Sequence, residues 1–558
     1  MEKLSASADR TPLRPQRRGP TEGWSIPATS VVLTVFLVSL YHGLPKSYVT
    51  LTDGYKQLST YGIFPVPGDP FHFLPCTNAT VSPSLDDSNP EQSWAHLFDP
   101  NPDQWSWGNA TKKENATKDP YSGRGIYLCG YLDVPLDYTN KSDSRIVRLA
   151  VTKYQVSGLA RINVDRGARA APRQGAKSER TIVIEPGGPG GSGTNYAWRV
   201  AQDVSRRFSD GKFDVLGWDP RGVNATRPAI ACFPYDADRD RWSLLTGQYR
   251  EIAGLPEAQL ELADAMNEAR FRACWERHGD LPRFVSTAFV ARDMEEIRKA
   301  LGEDELTGYL VSYGTGIGQT YANMFPGSML YELEGGNSTL ATEMLEKVEW
   351  QYDPTLPSPP SPKPSSDELG HLVVCADSYD APEPPEGLIW WQDLWANMTS
   401  QTWISGNSRF FNVLPCRHFT TYWPKPAEVY RGDLNHTLRN PVLLIAETYD
   451  PATPLRNGRR LAAEMGSNAR LIVHHGYGHS SNRDLSSCTN AIGKAYILDG
   501  KLPDEPETAC FADEKPYLYG VKGESDVADD ILSHDDYLRM WSDHVQDLAG
   551  WNPRLLRN

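Results

Sequence analysis

The sequence predicts an α/β fold in which a mostly parallel central sheet is flanked by helices. Short runs rich in β-branched residues recur along the chain, and several are continuously apolar, as in strands covered on both faces. Segments with helical periodicity lie between these runs, which is the alternation typical of a parallel sheet. At 558 residues, the chain is long enough for one large core with an inserted subdomain.

The predicted strands share a high content of Val, Ile, Leu and aromatic residues and are bounded by polar or turn-forming residues. They are Ile146–Val156, Thr181–Glu185, Phe213–Asp219, Gly308–Ser312, Pro441–Asp450 and Ala469–His475. Helical patterns are clearest at Phe289–Gly302 and Arg456–Gly466. These segments divide the body into a first core part, residues 126–326, and a second core part, residues 440–520.

The N-terminal segment predicts export from the cytosol. Residues 1–23 form a basic tail, and Trp24–Leu44 is a largely apolar stretch without charged residues, close to the roughly 20 residues that cross a bilayer. Basic residues before the stretch favour a cytosolic tail and a lumenal or extracellular body. No clear cleavage site follows, so an uncleaved signal-anchor is favoured over a removed signal peptide that would leave a secreted protein.

Glycosylation sequons also indicate the secretory pathway. Eight N-x-S/T motifs predict modification of Asn78, Asn109, Asn115, Asn140, Asn224, Asn337, Asn397 and Asn435. The net charge of −15 argues against a nucleic-acid partner, because an acidic surface repels phosphates.

Cysteine usage indicates disulfides rather than a metal site. The eight cysteines form no CxxC pair, so the sequence gives little support for zinc. Disulfides in an oxidising compartment are the better interpretation, and sequential pairing is expected because each bond would staple a local loop. The expected pairs are Cys76–Cys129, Cys232–Cys274, Cys375–Cys416 and Cys488–Cys510.

Two segments break the strand and helix rhythm. Residues 45–125 read as an irregular extension, and residues 327–439 interrupt the core late in the sheet. The second segment contains a proline-rich stretch, 353–368, that is typical of an extended linker, and a tryptophan-rich stretch, 387–403. An insertion at this position predicts a lid, and residues 521–558 form a C-terminal tail.

Ser312 lies where a predicted strand ends, followed by Gly314 and Gly316. Small residues at a sharp strand-to-helix turn allow a serine hydroxyl to stand above the sheet edge at a helix N-terminus. The expected glycine two positions before the serine is replaced by Leu310. By itself the S-x-G pattern is weak, and a simple helix-capping serine would explain it equally well.

A glycine-rich loop strengthens the case for Ser312. IEPGGPGGSG, residues 184–193, directly follows the strand Thr181–Glu185. Such a loop can direct backbone N–H groups towards a developing oxyanion, although a flexible linker would also be glycine-rich. Pro189 has no N–H, so Gly188 or Gly190 is the expected donor, together with the N–H of Tyr313.

A base and an orienting acid follow in the order that a serine nucleophile requires. Asp450 ends one predicted strand and opens a turn, and His479 follows the next strand. Separately, Asp450 could be a turn residue and His479 a loop histidine. Because each lies at the end of its own strand, Ser312, Asp450 and His479 together predict a catalytic triad in the α/β-hydrolase order.

The motifs together resemble the secreted tripeptidyl and prolyl aminopeptidase-like (TAP-like) branch of the α/β-hydrolases. The resemblance rests on IEPGGPGGSG, FDVLGWDPRGVNATRP, SYGTGIGQTYANMFP, NPVLLIAETYDPATPL and GYGHSS, and it runs from about residue 134 to residue 517. It implies Ser312 as nucleophile, Asp450 as orienting acid and His479 as general base. Acyl transfer would pass through a covalent acyl-enzyme, with no metal or cofactor.

Three departures from the family pattern bear on activity. Leu310 replaces the glycine, Glu185 stands where the family usually has Asn, and the segment after Met329–Gly336 predicts a shortened lid. Glu185, Glu332 and Glu334 are candidates for binding a substrate ammonium group, although each could be an ordinary solvated acid. The sequence does not indicate an oligomeric state.

Three functions remain open from the sequence. An exo-aminopeptidase would remove short peptides or single residues from free N-termini. An esterase or other small-molecule serine hydrolase would use the same triad on small ester or amide substrates. A catalytically impaired relative would act as a binding protein, because bulk at Leu310 could displace the Ser312 hydroxyl.

Overall fold

Ten strands form one mixed sheet at the centre of the protein. The computed structural model describes residues 58–77, 80, 82–109, 119–161, 177–248, 256–334, 367–380, 387–401, 403–481 and 484–513. Within these ranges the strands are β1 (Leu58–Ser59), β2 (Gly62–Ile63), β3 (Leu74–Pro75), β4 (Ile126–Pro135), β5 (Ile146–Gln155), β6 (Thr181–Glu185), β7 (Asp214–Trp218), β8 (Leu306–Leu310), β9 (Met329–Glu334), β10 (Val442–Tyr449), β11 (Ala469–Tyr477) and β12 (Glu507–Phe511).

The sheet order is β12-β11-β10-β9-β8-β6-β7-β5-β4-β3, and β1 and β2 form a separate antiparallel pair. All neighbours from β7 to β12 are parallel, whereas β3, β4, β5 and β7 pair antiparallel. The strand order doubles back at β6, β7 and β8, so β6 and β8 are neighbours although β7 lies between them in sequence. The predicted α/β-hydrolase fold with a mostly parallel sheet is confirmed.

The described helices lie between or after the strands. They are α1 (Pro90–Ala95), α2 (Gly193–Ser209), α3 (Asp236–Gln248), α4 (Pro256–His278), α5 (Thr287–Leu301), α6 (Gly314–Met324), α7 (Asp367–Asp377), α8 (Ile389–Gln401), α9 (Trp403–Val413), α10 (Phe419–Tyr422), α11 (Leu455–Met465) and α12 (Ser487–Asp499). Among them, α2 packs on α12, α5 packs on α6, and α11 packs on β10 and β11.

The motif that contains Asp219 and Arg221 fastens two helices to the sheet. Asp219 is fully buried beyond the end of β7 and accepts hydrogen bonds from Ser192 Oγ at 2.6 Å and from Thr194 N at 3.1 Å. It therefore holds the start of α2, directly behind the glycine-rich loop. Arg221 is also buried and donates to Asp293 Oδ1 at 2.6 Å, which ties the turn after β7 to α5.

The lid is built from two insertions rather than one. Helices α7 to α10 come from the predicted lid segment, but α3 and α4 come from residues 220–286, which the sequence interpretation assigned to the core. Helix α4 packs on α8, on α10 and on the 3-10 helix Leu414–His418. Two hydrophobic clusters result, one around Phe271 and Trp423 and one around Leu260 and Trp395. The prediction of a shortened lid considered only residues 327–439 and left out the helices contributed by residues 220–286.

Four disulfides join the cysteines in the expected sequential order: Cys76–Cys129, Cys232–Cys274, Cys375–Cys416 and Cys488–Cys510. Each closes a loop of 22 to 53 residues. Two of them lie within the two lid insertions, so each insertion is stapled to itself.

The described sequons differ in how well they could carry a glycan. Four of their asparagines, Asn109, Asn140, Asn397 and Asn435, are exposed. At Asn224 the side-chain Nδ2 donates to the buried Asp219 Oδ2 at 2.8 Å, so the atom that would carry a glycan is already engaged. This contact argues against modification at Asn224. Asn78, Asn115 and Asn337 lie outside the described residues.

The predicted signal-anchor, Trp24–Leu44, also lies outside the described residues. In the ranges given above, no helix combines the length and apolar composition needed to cross a bilayer.

Candidate active site

Ser312 occupies a sharp turn between β8 and α6. Its φ of 58° lies in the left-handed region, which a non-glycine residue adopts at an energetic cost. The turn is closed by the hydrogen bond from Gly314 N to Val311 O, 2.8 Å. This backbone presents the serine hydroxyl beyond the end of β8 and places the Tyr313 N–H at the N-terminus of α6.

The structure brings Ser312, His479 and Asp450 together. His479 Nε2 lies 2.9 Å from Ser312 Oγ, and His479 Nδ1 lies 2.8 Å from Asp450 Oδ2. Asp450 follows β10 and His479 follows β11, so parallel neighbours deliver both side chains to one sheet edge. Both distances are within hydrogen-bond reach, which is the geometry of a nucleophile, a base and an orienting acid.

Asp450 is held by its own turn. Its Oδ1 accepts from Ala452 N at 2.7 Å and from Thr453 N at 2.8 Å, and its Oδ2 accepts from Thr453 Oγ1 at 2.6 Å. Burial opposes ionisation, but the hydrogen bonds from His479 and Thr453 outweigh it and hold the pKa of Asp450 below its ordinary value. Asp450 is therefore a carboxylate that accepts a hydrogen bond from His479 Nδ1–H. This bond fixes the tautomer in which the unprotonated Nε2 faces Ser312.

The glycine-rich loop lies against the serine turn. Gly187, Gly188 and Gly190 all have positive φ angles, between 93° and 118°. A Cβ on Gly187 would lie 2.5 Å from Val311 O and 2.7 Å from Tyr313 N, so only glycine permits this approach. The loop therefore places its backbone beside the Tyr313 N–H, where an oxyanion hole is expected.

Glu185 does not face the site as expected for a substrate-binding residue. It is 1% exposed, and its Oε2 accepts a hydrogen bond from Gly187 N at 2.7 Å. Burial raises the pKa of Glu185 well above its ordinary value. Glu185 thus supports the glycine-rich loop from beneath, a role that local sequence could not distinguish from substrate binding. Glu334 ends β9, and its side chain lies outside the described part of the structure.

Leu310 does not displace the serine. It is fully buried in the main core, and the Ser312 to His479 distance beside it is 2.9 Å. Gly308 lies two residues earlier on the same face of β8, and a Cβ there would make only an ordinary van der Waals contact with Leu310, 3.6 Å from its Cγ. The core therefore accepts Leu310 while the triad spacing stays intact.

The lid helix α7 reaches the site, which the sequence interpretation missed. Gly370 lies so close to the glycine-rich loop that a Cβ on it would be 2.8 Å from Pro189 O. Glu368, two residues earlier, is 2% exposed and is a buried lid acid next to this contact. The signal in the sequence was the small residue Gly370, just before the apolar run of residues 372–376.

Comparisons with known proteins agree with this geometry. The sequence model of the family described as TAP-like protein matches residues 405–510, which include Asp450 and His479. The predicted family resemblance is confirmed for residues 405–510, which carry the TAP-like sequence pattern.

Three relatives match the chain to different extents. Serine protease Hip1 of Mycobacterium tuberculosis is 36% identical over 205 residues, which cover 36% of this chain and 34% of the relative. Tripeptidyl aminopeptidase of Streptomyces lividans is 34% identical over 199 residues, 36% of this chain and 33% of the relative. The chain thus matches about a third of their length. Carboxylesterase B of M. tuberculosis is 23% identical over 492 residues, 72% of this chain and 89% of the relative.

Among solved structures, an esterase from Exiguobacterium antarcticum is 12% identical with a TM-score of 0.30, covering 63% of this chain and 96% of that chain. Among the described residues, no group of three or more His, Cys, Asp or Glu side chains could hold a metal ion.

Proposed function

We propose that this protein is a serine hydrolase that removes short peptides from free N-termini through an acyl-enzyme on Ser312. The observation that carries the proposal is the hydrogen-bonded series from Ser312 Oγ to His479 Nε2 and from His479 Nδ1 to Asp450. The serine protease and tripeptidyl aminopeptidase relatives support a peptide substrate.

The proposed reaction uses only groups of this chain and water. His479 Nε2 accepts the Ser312 proton as Oγ attacks the substrate carbonyl carbon. The Tyr313 N–H and a glycine-loop N–H stabilise the oxyanion, and the imidazolium then donates its proton to the leaving amine as the C–N bond breaks. Water, deprotonated by His479, hydrolyses the ester and restores the Ser312 hydroxyl.

Recognition of a free N-terminus requires a carboxylate near the substrate ammonium group. Of the earlier candidates, Glu185 is engaged beneath the glycine-rich loop. The lid helix whose Gly370 lies against this loop also carries a buried acid, Glu368. We take Glu368 as the acid that selects substrates with an unblocked N-terminus.

A second candidate function is ester hydrolysis. The relative named carboxylesterase covers the largest share of this chain among the three, and the triad does not itself fix the leaving group. Such an enzyme would act on small esters and would ignore the charge of a substrate N-terminus. A catalytically impaired binding protein is less well supported, because Leu310 leaves the triad spacing intact.

We place the catalytic body in an oxidising compartment. The four disulfides support this location, because such bonds persist outside the reducing cytosol. A single-pass membrane protein with a lumenal or extracellular body is the preferred form, and a secreted protein is the alternative.

The deciding experiment compares the intact glycosylated protein with its Ser312→Ala variant. We expect fluorophosphonate labelling and hydrolysis of tripeptidyl anilides in the wild type, and loss of both in the variant with an unchanged Tm, because the substitution removes only the nucleophile. Turnover should fall by at least four orders of magnitude, roughly the loss seen when a triad nucleophile is removed.

The substrate series separates the functions. Cleavage of free but not N-acetylated tripeptidyl anilides would support the exo-aminopeptidase, whereas cleavage of p-nitrophenyl esters alone would support the esterase. Full activity in Ser312→Ala would remove Ser312 from the mechanism, and an unlabelled, folded wild type would indicate a binding protein.

A further inference from the structure

The lid helix α7 contacts both parts of the expected oxyanion hole. Near its first turn, Gly370 lies on the glycine-rich loop, where a Cβ would be 2.8 Å from Pro189 O. This carbonyl lies between Gly188 and Gly190, the two candidate donors of the loop. A shift of α7 would therefore move the backbone that carries them.

The other end of α7 is connected to Tyr313. Asp377, its last residue, accepts hydrogen bonds from Thr287 N at 2.9 Å and from Thr287 Oγ1 at 2.5 Å. Thr287 Oγ1 in turn lies 2.6 Å from the Tyr313 hydroxyl. Because the Thr287 hydroxyl hydrogen is committed to the Asp377 carboxylate, the Tyr313 hydroxyl donates to Thr287 Oγ1. The direction of both hydrogen bonds is thereby fixed.

The Asp377 contact also caps a core helix. Thr287 is the first residue of α5, and a carboxylate at a helix N-terminus interacts favourably with the free N–H groups and the helix dipole. Asp377 therefore ties the C-terminal end of a lid helix to the N-terminal end of a core helix. Tyr313 lies at this junction, since its ring packs against both the main core cluster and the lid cluster around Phe271.

Helix α7 is itself immobilised. Leu369, Leu372 and Ala376 are at most 1% exposed, and Cys375 is bonded to Cys416. The Arg431 guanidinium also donates to the Asp377 carbonyl oxygen. The helix therefore has the rigidity that a positioning element requires.

We propose that α7 is a brace that sets the oxyanion hole, with Asp377 and Thr287 as positioning residues that fix Tyr313. The inference rests on the proposed serine-hydrolase function. Asp377 and Thr287 do not contact the reacting atoms: they hold the Tyr313 side chain, and through it the N–H that faces the oxyanion. The lid thus contributes to the chemical step as well as to substrate selection.

The test compares Thr287→Val, which removes the hydroxyl, with Thr287→Ser, which retains it. We expect kcat of Thr287→Val to fall about tenfold with KM nearly unchanged, because a small displacement of an oxyanion donor acts on the transition state alone. Thr287→Ser should restore most of kcat. Asp377→Asn should resemble Thr287→Val, and Asp203→Asn, at an exposed acid of α2 that pairs with Arg206, is the matched control that should not change kcat.

A double-variant cycle separates positioning from general destabilisation. Tyr313→Phe should lower kcat about as much as Thr287→Val, and the double variant should show no further loss, since both changes break the same hydrogen bond. Tm is measured for every variant. Two outcomes would overturn the brace. One is a kcat loss in the double variant equal to the combined losses of the two single variants. The other is a kcat loss that parallels a fall in Tm and is not restored by Thr287→Ser.

Gly370→Ala provides a test at the other end of α7, with Gly327→Ala, where a Cβ meets no atom within 4 Å, as its control. We expect only Gly370→Ala to lower kcat. Wild-type kcat in both Thr287→Val and Gly370→Ala, with Ser312 still labelled by fluorophosphonate, would overturn the brace and leave the proposed function standing. A wild type that neither labels nor turns over would overturn both.

Discussion

The two sides of Ser312 are held in place in different ways. On one side, His479 and Asp450 stand at the ends of adjacent parallel strands, and Asp450 is fixed by N–H groups two and three residues ahead. On the other side, the glycine-rich loop and Tyr313 depend on contacts with Thr287 and with the lid helix α7. The side with His479 and Asp450, where we propose proton transfer, is therefore held by nearby residues of the chain. The side with the glycine-rich loop and Tyr313, where we propose an oxyanion hole, depends on distant segments.

The largest expected effect concerns the locally built side. Asp450→Asn should lower kcat about 10⁴-fold, because a neutral amide does not stabilise the imidazolium as a carboxylate does and its NH2 group can hold His479 in the wrong tautomer. Steady-state kinetics on a tripeptidyl anilide will measure the loss, and circular dichroism will check that the fold is retained. A loss below tenfold would mean that Asp450 is not the orienting acid.

The next effect concerns the side that depends on the lid. Gly187→Ala should lower kcat by about 10² to 10³, roughly the effect of losing one oxyanion donor, because the new Cβ would meet Val311 O and Tyr313 N. The positive φ of 93° at Gly187 adds strain. The rate of fluorophosphonate labelling should fall in parallel.

Gly327→Ala again serves as the control for adding a methyl group. If Gly187→Ala lowers kcat less than Thr287→Val does, the glycine-rich loop contributes less to oxyanion stabilisation than the hydrogen bond that holds the Tyr313 side chain.

The smallest effect is a gain in stability on the triad side. Glu447, three residues before Asp450, is 2% exposed, and neither of its carboxyl oxygens has a hydrogen-bond partner among the residues that the structure describes. Burial, together with the charges of Asp450 and Asp484, raises the pKa of Glu447 to about 9. The folded protein therefore keeps a proton that the unfolded chain releases, so this carboxyl lowers stability as pH rises from about 4.5 to about 9.

Glu447→Gln should remove this penalty because the amide cannot ionise. We expect up to roughly 3 kcal/mol of added stability at pH 7 and almost none at pH 4.5. Urea unfolding of both proteins at pH 5 and pH 8 measures the difference, with Glu505→Gln, at an exposed acid, as the control. An equal gain at both pH values would show that Glu447 is ionised in the folded protein.

Residues that act through their own strand or turn could be identified from sequence. Ser312, Asp450 and His479 each follow an apolar run, and parallel strands bring such ends to one edge whatever lies between them. β6 is predicted with its observed limits, and β10 begins and ends within one residue of its prediction. The strand expected in Met329–Gly336 is present as β9, hydrogen-bonded between β8 and β10.

Residues whose role depends on packing between distant segments could not be identified. Glu185 faces inward because Gly187 and α6 close over it, and no local pattern shows this. Strands β4 and β12 were not predicted, and α3 and α4 were assigned to the core because the core helix α5 and then strand β8 follow them in the chain. The Cys232–Cys274 pair was the available hint that this segment is a stapled unit of its own.

The contact of α7 with the glycine-rich loop bears on how this enzyme could be recombined with its relatives. A chimera cut at Glu334, the end of β9, and at Arg439 would keep the strands of the sheet and exchange Asp367–Asp377 together with the rest of the later lid insertion. That helix would then be separated from its own Thr287 and Pro189. An exchange that begins after Asp380 would preserve both contacts, but the grafted segment would have to bring a cysteine able to pair with Cys375. In the sequence, α7 belongs to the lid insertion. By its contacts with Pro189 and Thr287, however, α7 belongs to the core.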